Sequence, residues 1–295
     1  MNVSLATCAL FAVIGAEPDA VGAAPEKPAY PNGQAPWLKL YERTAAQYEI
    51  YRDPESEQRL ELKHQSVYKW THAAQTGGQH GAVYVWTYHG CVEAVGCFFM
   101  SRQSDGSRSL SHELHSLSPV KLSAVRGGPS RWSPKAGTQR RLLDDAPEPA
   151  AAPAARLAQM RAIARDFSGT STTPEGDRRQ LRLLPQPFYR DDSADADVID
   201  GALFAYVCAV GTDPELFMLV EALRTDAGPR WHYALARFSH CKLIASYKEK
   251  QVWQAVRGGD DTFSHNADHT YHLQFERVVT DPDATKTEGE EDEKP

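Results

Sequence analysis

What the chain lacks narrows it first. No apolar run approaches the roughly 18 residues that a helix needs to cross a bilayer, so no transmembrane span is expected. Basic residues are outnumbered, with 32 Lys and Arg against 39 Asp and Glu for a net charge of −7. That balance argues against a nucleic-acid partner held by phosphate contacts. Cysteine is sparse, five in 295 residues. No two cysteines have the C-x-x-C spacing of a redox or zinc site, and C-x-x-C-H haem attachment is absent. The short catalytic signatures are also missing: no G-x-x-x-x-G-K-[ST], no strand–GxGxxG–helix unit and no G-x-S-x-G elbow. Neither a cofactor nor a metal is expected. The 41% apolar content nevertheless supports packed cores, in one large domain or two of ordinary size.

The two ends differ from the rest. Residues 1–16 read MNVSLATCALFAVIGA, uncharged and apolar like the core of a signal peptide. Gly15, Ala16, Gly22, Ala23 and Ala24 offer cleavage points, the last as late as residue 24. A buried strand or a short anchor are the competing readings. Residues 17–36 follow as a Pro/Ala-rich linker, and the expected location is secreted or periplasmic. At the other end residues 280–295 hold seven acidic residues and two lysines. This acidic tail carries −5 of the −7 and reads as disordered. The body is nearly neutral, so its field names no partner. Once the leader is removed, Cys91, Cys97, Cys208 and Cys241 could form two disulfides in three connectivities. For Cys97 and Cys208, which sit in apolar strands, burial as small apolar residues is the better reading.

The body suggests an internal repeat. At an offset of 121 residues Leu60, Leu62, Gln65 and Tyr68 fall on Leu181, Leu183, Gln186 and Tyr189. Leu114, Ser118, Lys121, Leu122, Ala124 and Trp132 likewise fall on Leu235, Ser239, Lys242, Leu243, Ala245 and Trp253. Each half opens with helical spacing, through Trp37, Tyr41, Ala45 and Tyr48 in one and Leu157, Met160, Ala164 and Phe167 in the other. Strands are expected near 59–70, 81–89, 92–101, 109–117 and 120–126, then near 180–190, 201–210, 216–223, 230–238 and 241–247, with a short piece at Trp253. One more is expected over 270–279. Pro185 and Pro187 push their strand towards an edge. These readings give an α+β fold, a tandem duplication of a helix plus an antiparallel β-meander. The repeats span 37–133 and 153–279, joined by a Pro/Ala-rich linker over 134–152.

With these blocks laid out, SHELHSLS at 111–118, ARLAQMRAIARDFS at 155–168, LRLLPQPFYR at 181–190, DGALFAYVCAVGTDPELFMLVEAL at 200–223 and WHYALARFS at 231–239 form a fingerprint. On it the chain resembles a family of uncharacterised secreted proteins associated with planctomycete bacteria. The resemblance implies export and no particular activity.

The candidate chemistry lies in one expected strand. His112-Glu113-Leu114-His115 is not a zincin motif, which needs two histidines four apart on a helix, and residue 116 is Ser. On a strand Glu113 and His115 project from one face, about 7 Å apart. At the 121-residue offset stand Ala234 and Ala236. A carboxylate and an imidazole there could be an acid–base pair or part of a ligand site, or could simply satisfy each other. His265, His269 and His272 have helical spacing, but an alternating pattern scatters them and makes them loop histidines by default. Asp213 and Glu215 flank Pro214 in a turn without further calcium oxygens. Tyr84, Trp86, Tyr88, Phe204, Tyr206, Trp231 and Tyr233 recur at strand spacing and read as core, with a sugar- or peptide-binding face second. The reading is a secreted, non-catalytic binding or interaction protein of two related modules. The alternative is a hydrolase or lyase using Glu113 and His115.

Overall fold

Residues Trp37, Leu40, Tyr41, Thr44 and Ala45 are the buried face of α1 (Ala35–Ala46). Their spacing of three and four residues places them on one side of a helix. In α2 (Pro153–Arg165) proline takes the first turn, where no backbone donor is lost, and Met160, Ile163 and Ala164 are buried. Both helices end two residues before the last position of their apolar spacing, so Tyr48 and Phe167 lie beyond them. The computed structural model describes residues 35–53, 57–72, 79–102, 107–128, 130–191, 197–208, 211–256 and 266–279. The expected signal peptide, nearly all of the first linker and the acidic tail lie outside them.

The rest is strand. The first series is β1 (Glu49–Arg52), β2 (Glu61–Leu62), β3 (Tyr68–His72), β4 (Gln79–Tyr88), β5 (Cys91–Arg102), β6 (Arg108–Ser116), β7 (Leu122–Val125), β8 (Ser130–Trp132) and β9 (Arg141–Leu142). After α2 come β10 (Phe167–Thr172), β11 (Arg178–Leu183), β12 (Tyr189–Arg190), β13 (Val198–Cys208), β14 (Pro214–Thr225), β15 (Gly228–Arg237), β16 (Lys242–Tyr247), β17 (Lys250–Ala255) and β18 (Tyr271–Val278). Among the described residues three antiparallel sheets result: β1-β7-β8; a six-stranded sheet ordered β18-β6-β5-β4-β2, with β3 also on β4; and a nine-stranded sheet ordered β17-β16-β10-β11-β13-β14-β15-β9, with β12 also on β13. His89 and Gly90 both have positive φ, 48° and 82°, the backbone that a two-residue hairpin between β4 and β5 demands.

The long strands are apolar on both faces because both are covered. Helix α1 packs against β4 and β5, and α2 against β13 and β14. Between the two large sheets lies a third core, in which Val83, Val85, Val95 and Cys97 meet Leu203, Ala205, Phe217 and Leu219. A continuous apolar run is what burial on both sides selects. Among the described residues no helix is long and apolar enough to cross a membrane.

The expected α+β class is corrected by these sheets. Among the described residues 55% lie in strands and 12% in helices, so the fold is mostly β. The helix-plus-meander duplication falls with it. β1 pairs with β7 and β10 with β16, returns across the chain that a meander lacks. β1, β7 and β8 also form a separate sheet, whereas β10, β16 and β17 belong to the nine-stranded one. Trp132 is sealed, with Nε1 donating to the His269 carbonyl at 2.8 Å. Trp253, at the offset position, is only partly buried and borders an open cavity. Many of the matched positions are core positions of strands, where burial alone calls for Leu, Ala and aromatics. Strands do fill most expected stretches. The exceptions are 59–70 and 180–190, each broken into two short strands, and β1, β8, β9 and β10, too short or polar to show a pattern.

Candidate functional site

Glu113 and His115 lie on β6, between Cys97 and Val95 of β5 on one side and Leu273 and Tyr271 of β18 on the other. Leu110 and Leu114 face α1, so strand alternation turns Glu113 and His115 towards the nine-stranded sheet. There they part. Tyr271 Oη donates to Glu113 Oε1 at 2.6 Å. His115 Nδ1 donates to the Ser116 carbonyl at 2.8 Å, which leaves its Nε2 as an acceptor. Burial holds the His115 imidazole down at about 4, with Arg237 adding to this and the Ser116 bond opposing it. It is neutral at physiological pH. His115 borders a cavity of about 290 Å³ with Arg141, Arg237 and Trp253. Glu113 borders a different one.

That second cavity, about 370 Å³, opens between β5–β6 and the start of β14. Trp70, Phe99 and Phe238 give it aromatic walls, and Glu113, Asp213 and Glu215 give it three carboxyl groups. The Trp70 ring lies on Gly81, where a Cβ would come within 2.7 Å of it, so only glycine lets the ring seat there. Trp70 Nε1 donates to Cys97 Sγ at 3.2 Å. Burial pushes the Cys97 thiol up, and Glu113 pushes it further. Burial, then the negative fields of Asp213 and Glu215, lift the Glu113 carboxyl to about 8 against the pull of Tyr271 and Arg237. Glu215 is 7% exposed. Its carboxyl is raised by burial and Asp213, and Ser171, Cys208 and Arg179 offset only part of this. Its Oε2 is sealed from solvent with no hydrogen-bond partner among the described residues. Asp213 Oδ1 stands 3.4 Å from His72 Nδ1.

A second polar cluster, which no sequence pattern announced, fills the opposite end of the interface between the sheets. Arg140 grips Glu221 through two nitrogens, at 2.6 and 3.2 Å, and donates to the Leu117 carbonyl at 3.2 Å. Arg52 stands 3.2 Å from Glu93, which also accepts from Ser118 at 2.9 Å. Asp191 completes the group. Burial and then Glu221 lift its carboxyl to about 8, while a bond from the Val92 amide and the charge of Arg140 oppose this. Side chains 52, 93, 140, 191 and 221 are too scattered along the chain to be read as one site beforehand.

The remaining candidates disperse. His269 lies in a loop beside Asn266, His272 is buried on β18, and His265 is outside the described residues. Among the described residues no three His, Cys, Asp or Glu side chains are grouped to hold a metal ion. Cys91, Cys97, Cys208 and Cys241 are free thiols, all buried. Tyr84, Trp86, Phe204, Tyr206, Trp231 and Tyr233 are core, and Tyr88 is partly exposed beneath Arg52. No family model, no curated protein and no solved structure matches the chain.

Proposed function

We propose that the chain is an exported, non-catalytic binding protein that holds a small ligand in the Glu113 cavity. The observation carrying this reading is a concave space of about 370 Å³ with aromatic walls and few, convergent polar groups, the usual constitution of a small-molecule site. The apolar leader at residues 1–16 and the likeness to secreted planctomycete proteins support export. Tyr271 already engages Glu113, and His115 borders another cavity. That separation supports binding over hydrolase or lyase chemistry by this pair, which would need both groups on one substrate.

Leu273 borders the cavity and is only partly buried, so Leu273→Trp would fill the space with little cost to the fold. In a thermal-shift screen of amines, acids and sugars, a compound at 100 times its Kd stabilises the folded state by about 2.7 kcal/mol, or about 5 °C or more in Tm. Wild type is expected to show such a shift and Leu273→Trp to lose it. Equal shifts in both proteins, or turnover of the bound compound that Glu113→Gln abolishes, would overturn the reading.

A further inference from the structure

We infer that the ligand of the Glu113 cavity is an organic cation with a small apolar body, an inference that rests on the binding role proposed above. Glu113, Asp213 and Glu215 bring three carboxyl groups to the border of this space, and among the described residues no Lys or Arg borders it with them. Arg237 is near enough for its charge to act on Glu113. Its guanidinium, however, donates to the carbonyls of Ser239, Cys241 and Val256, each at 3.0 Å, and lies over the Tyr271 ring at 5.2 Å. His72 stands beside Asp213 alone. Among the described residues Oε2 of Glu113 accepts no hydrogen bond beside the one that Tyr271 donates to Oε1, and Oε2 of the buried Glu215 has no partner.

A desolvated carboxyl group is driven to keep its proton unless a positive charge arrives. Burial is the first cause of the elevated titrations of Glu113 and Glu215, and a cation seated against them would lower both. The walls suit the same guest. Trp70 and Phe99, 5.9 Å apart between ring centres, and Phe238 offer faces to which an ammonium or guanidinium group is attracted. A neutral guest would leave the carboxyl groups uncompensated, and an anion would add a further negative charge. At about 370 Å³ the space is at the small end of ligand sites.

The occupant would release protons as it binds, because its charge favours the ionised form of Glu113. The groups facing Glu113 are Tyr271, Asp213, Glu215, Arg237 and the Cys97 thiol, with His240 also on the cavity wall. Isothermal titration calorimetry with three probes of one size tests this: benzyltrimethylammonium, which cannot titrate, benzyl alcohol and benzoate. The full chain at pH 7 is expected to bind the quaternary ammonium at least about tenfold more tightly than the alcohol, and not to bind benzoate. Titrations in two buffers of different ionisation heat should show proton release, and affinity should rise from pH 6 to pH 8. Glu113→Gln, which replaces a carboxyl group largely protonated at pH 7, should keep the unfolding midpoint but lose most of the proton release and its share of the pH dependence. Benzyl alcohol or benzoate binding as tightly as the cation, and competing with it, would overturn the cation while leaving a ligand cavity. Failure of all three probes would count against cation and cavity together. Binding of the cation that survives both Glu113→Gln and Leu273→Trp unchanged would place it elsewhere and overturn the inference.

Discussion

Gly81 of β4 and Gly201 of β13 each lie beneath a side chain from a short neighbouring strand or its end, and the two coverings differ in kind. Trp70 covers Gly81, which is paired across the sheet with Phe99. Asp191 covers Gly201, which is paired with Glu221. Around Gly201 Glu221 and Glu93 find arginine partners, while Asp191 Oδ2 has no hydrogen-bond partner among the described residues. Arg140 and Arg52 enter, and the end of the interface fills with ion pairs. Around Gly81 the aromatic cover is bulky and apolar, and Glu113, Asp213 and Glu215 border an open cavity in place of a guanidinium. A glycine under a side chain is thus compatible with either a filled polar seam or an open site. The decisive factor is whether the protein provides its own counter-charge.

The largest test of this contrast is Arg140→Met. Glu221 is 1% exposed and would lose both guanidinium bonds, leaving buried carboxyl groups without their cation. Breaking one side of such a pair costs about 3–5 kcal/mol, and urea unfolding at pH 7.5 should show that loss. A loss below about 1 kcal/mol, the scale of an exposed pair, would mean that the seam is not the compensated end.

A smaller effect is expected from Asp191→Asn. The carboxyl group is lifted to about 8 in the folded chain from about 3.9 when unfolded, so the folded state holds its proton more tightly. Its stabilising contribution is complete below about pH 4 and is lost as the pH rises through about 8. The asparagine variant should therefore show a flatter profile over that window. At pH 8 it should be more stable than wild type by about 1–2 kcal/mol, since it carries no charge to bury. Unfolding midpoints at pH 5 and pH 8 measure this. A variant less stable than wild type at pH 8 would instead make the Asp191 charge part of the seam's bonding.

The smallest expected effect is at the open end. Tyr271→Phe removes the 2.6 Å bond to Glu113 and should cost about 1 kcal/mol. Because that bond lowers the Glu113 titration, its removal should move the group further above about 8. Carbon-13 NMR of the labelled carboxyl group would show the direction. A downward move would mean that the phenol stabilises the protonated acid and not the carboxylate.

Much of the strand layout was legible because it is local. Unbroken apolar runs such as GALFAYVC predict strands buried on both faces, and β13 is one. The strand alternation that puts Glu113 opposite the α1 face is local too. Pairing was less legible. The return of β7 to β1 and of β16 to β10 depends on which edges meet, and similar apolar segments do not encode that choice. An apparent repeat of helix and meander was the result, where large sheets dominate. The cavity was half legible: Glu113 stood out, with His115, as a polar pair on one strand face where Ala234 and Ala236 stand at the 121-residue offset, whereas Asp213 and Glu215 looked like ordinary turn residues beside Pro214.

Composition and periodicity alone therefore determined two helices, most of the strands, and a carboxylate and an imidazole, Glu113 and His115, on one strand face. Only the tertiary structure decided that β18 brings Tyr271 to Glu113, that His115 turns to another cavity, and that Arg140 reaches Glu221 while no arginine among the described residues binds Glu113. The physical reason is range. Helix and strand periodicity arise between residues a few positions apart, whereas the partner of a buried charge is chosen by sheet packing among segments as many as 158 residues apart.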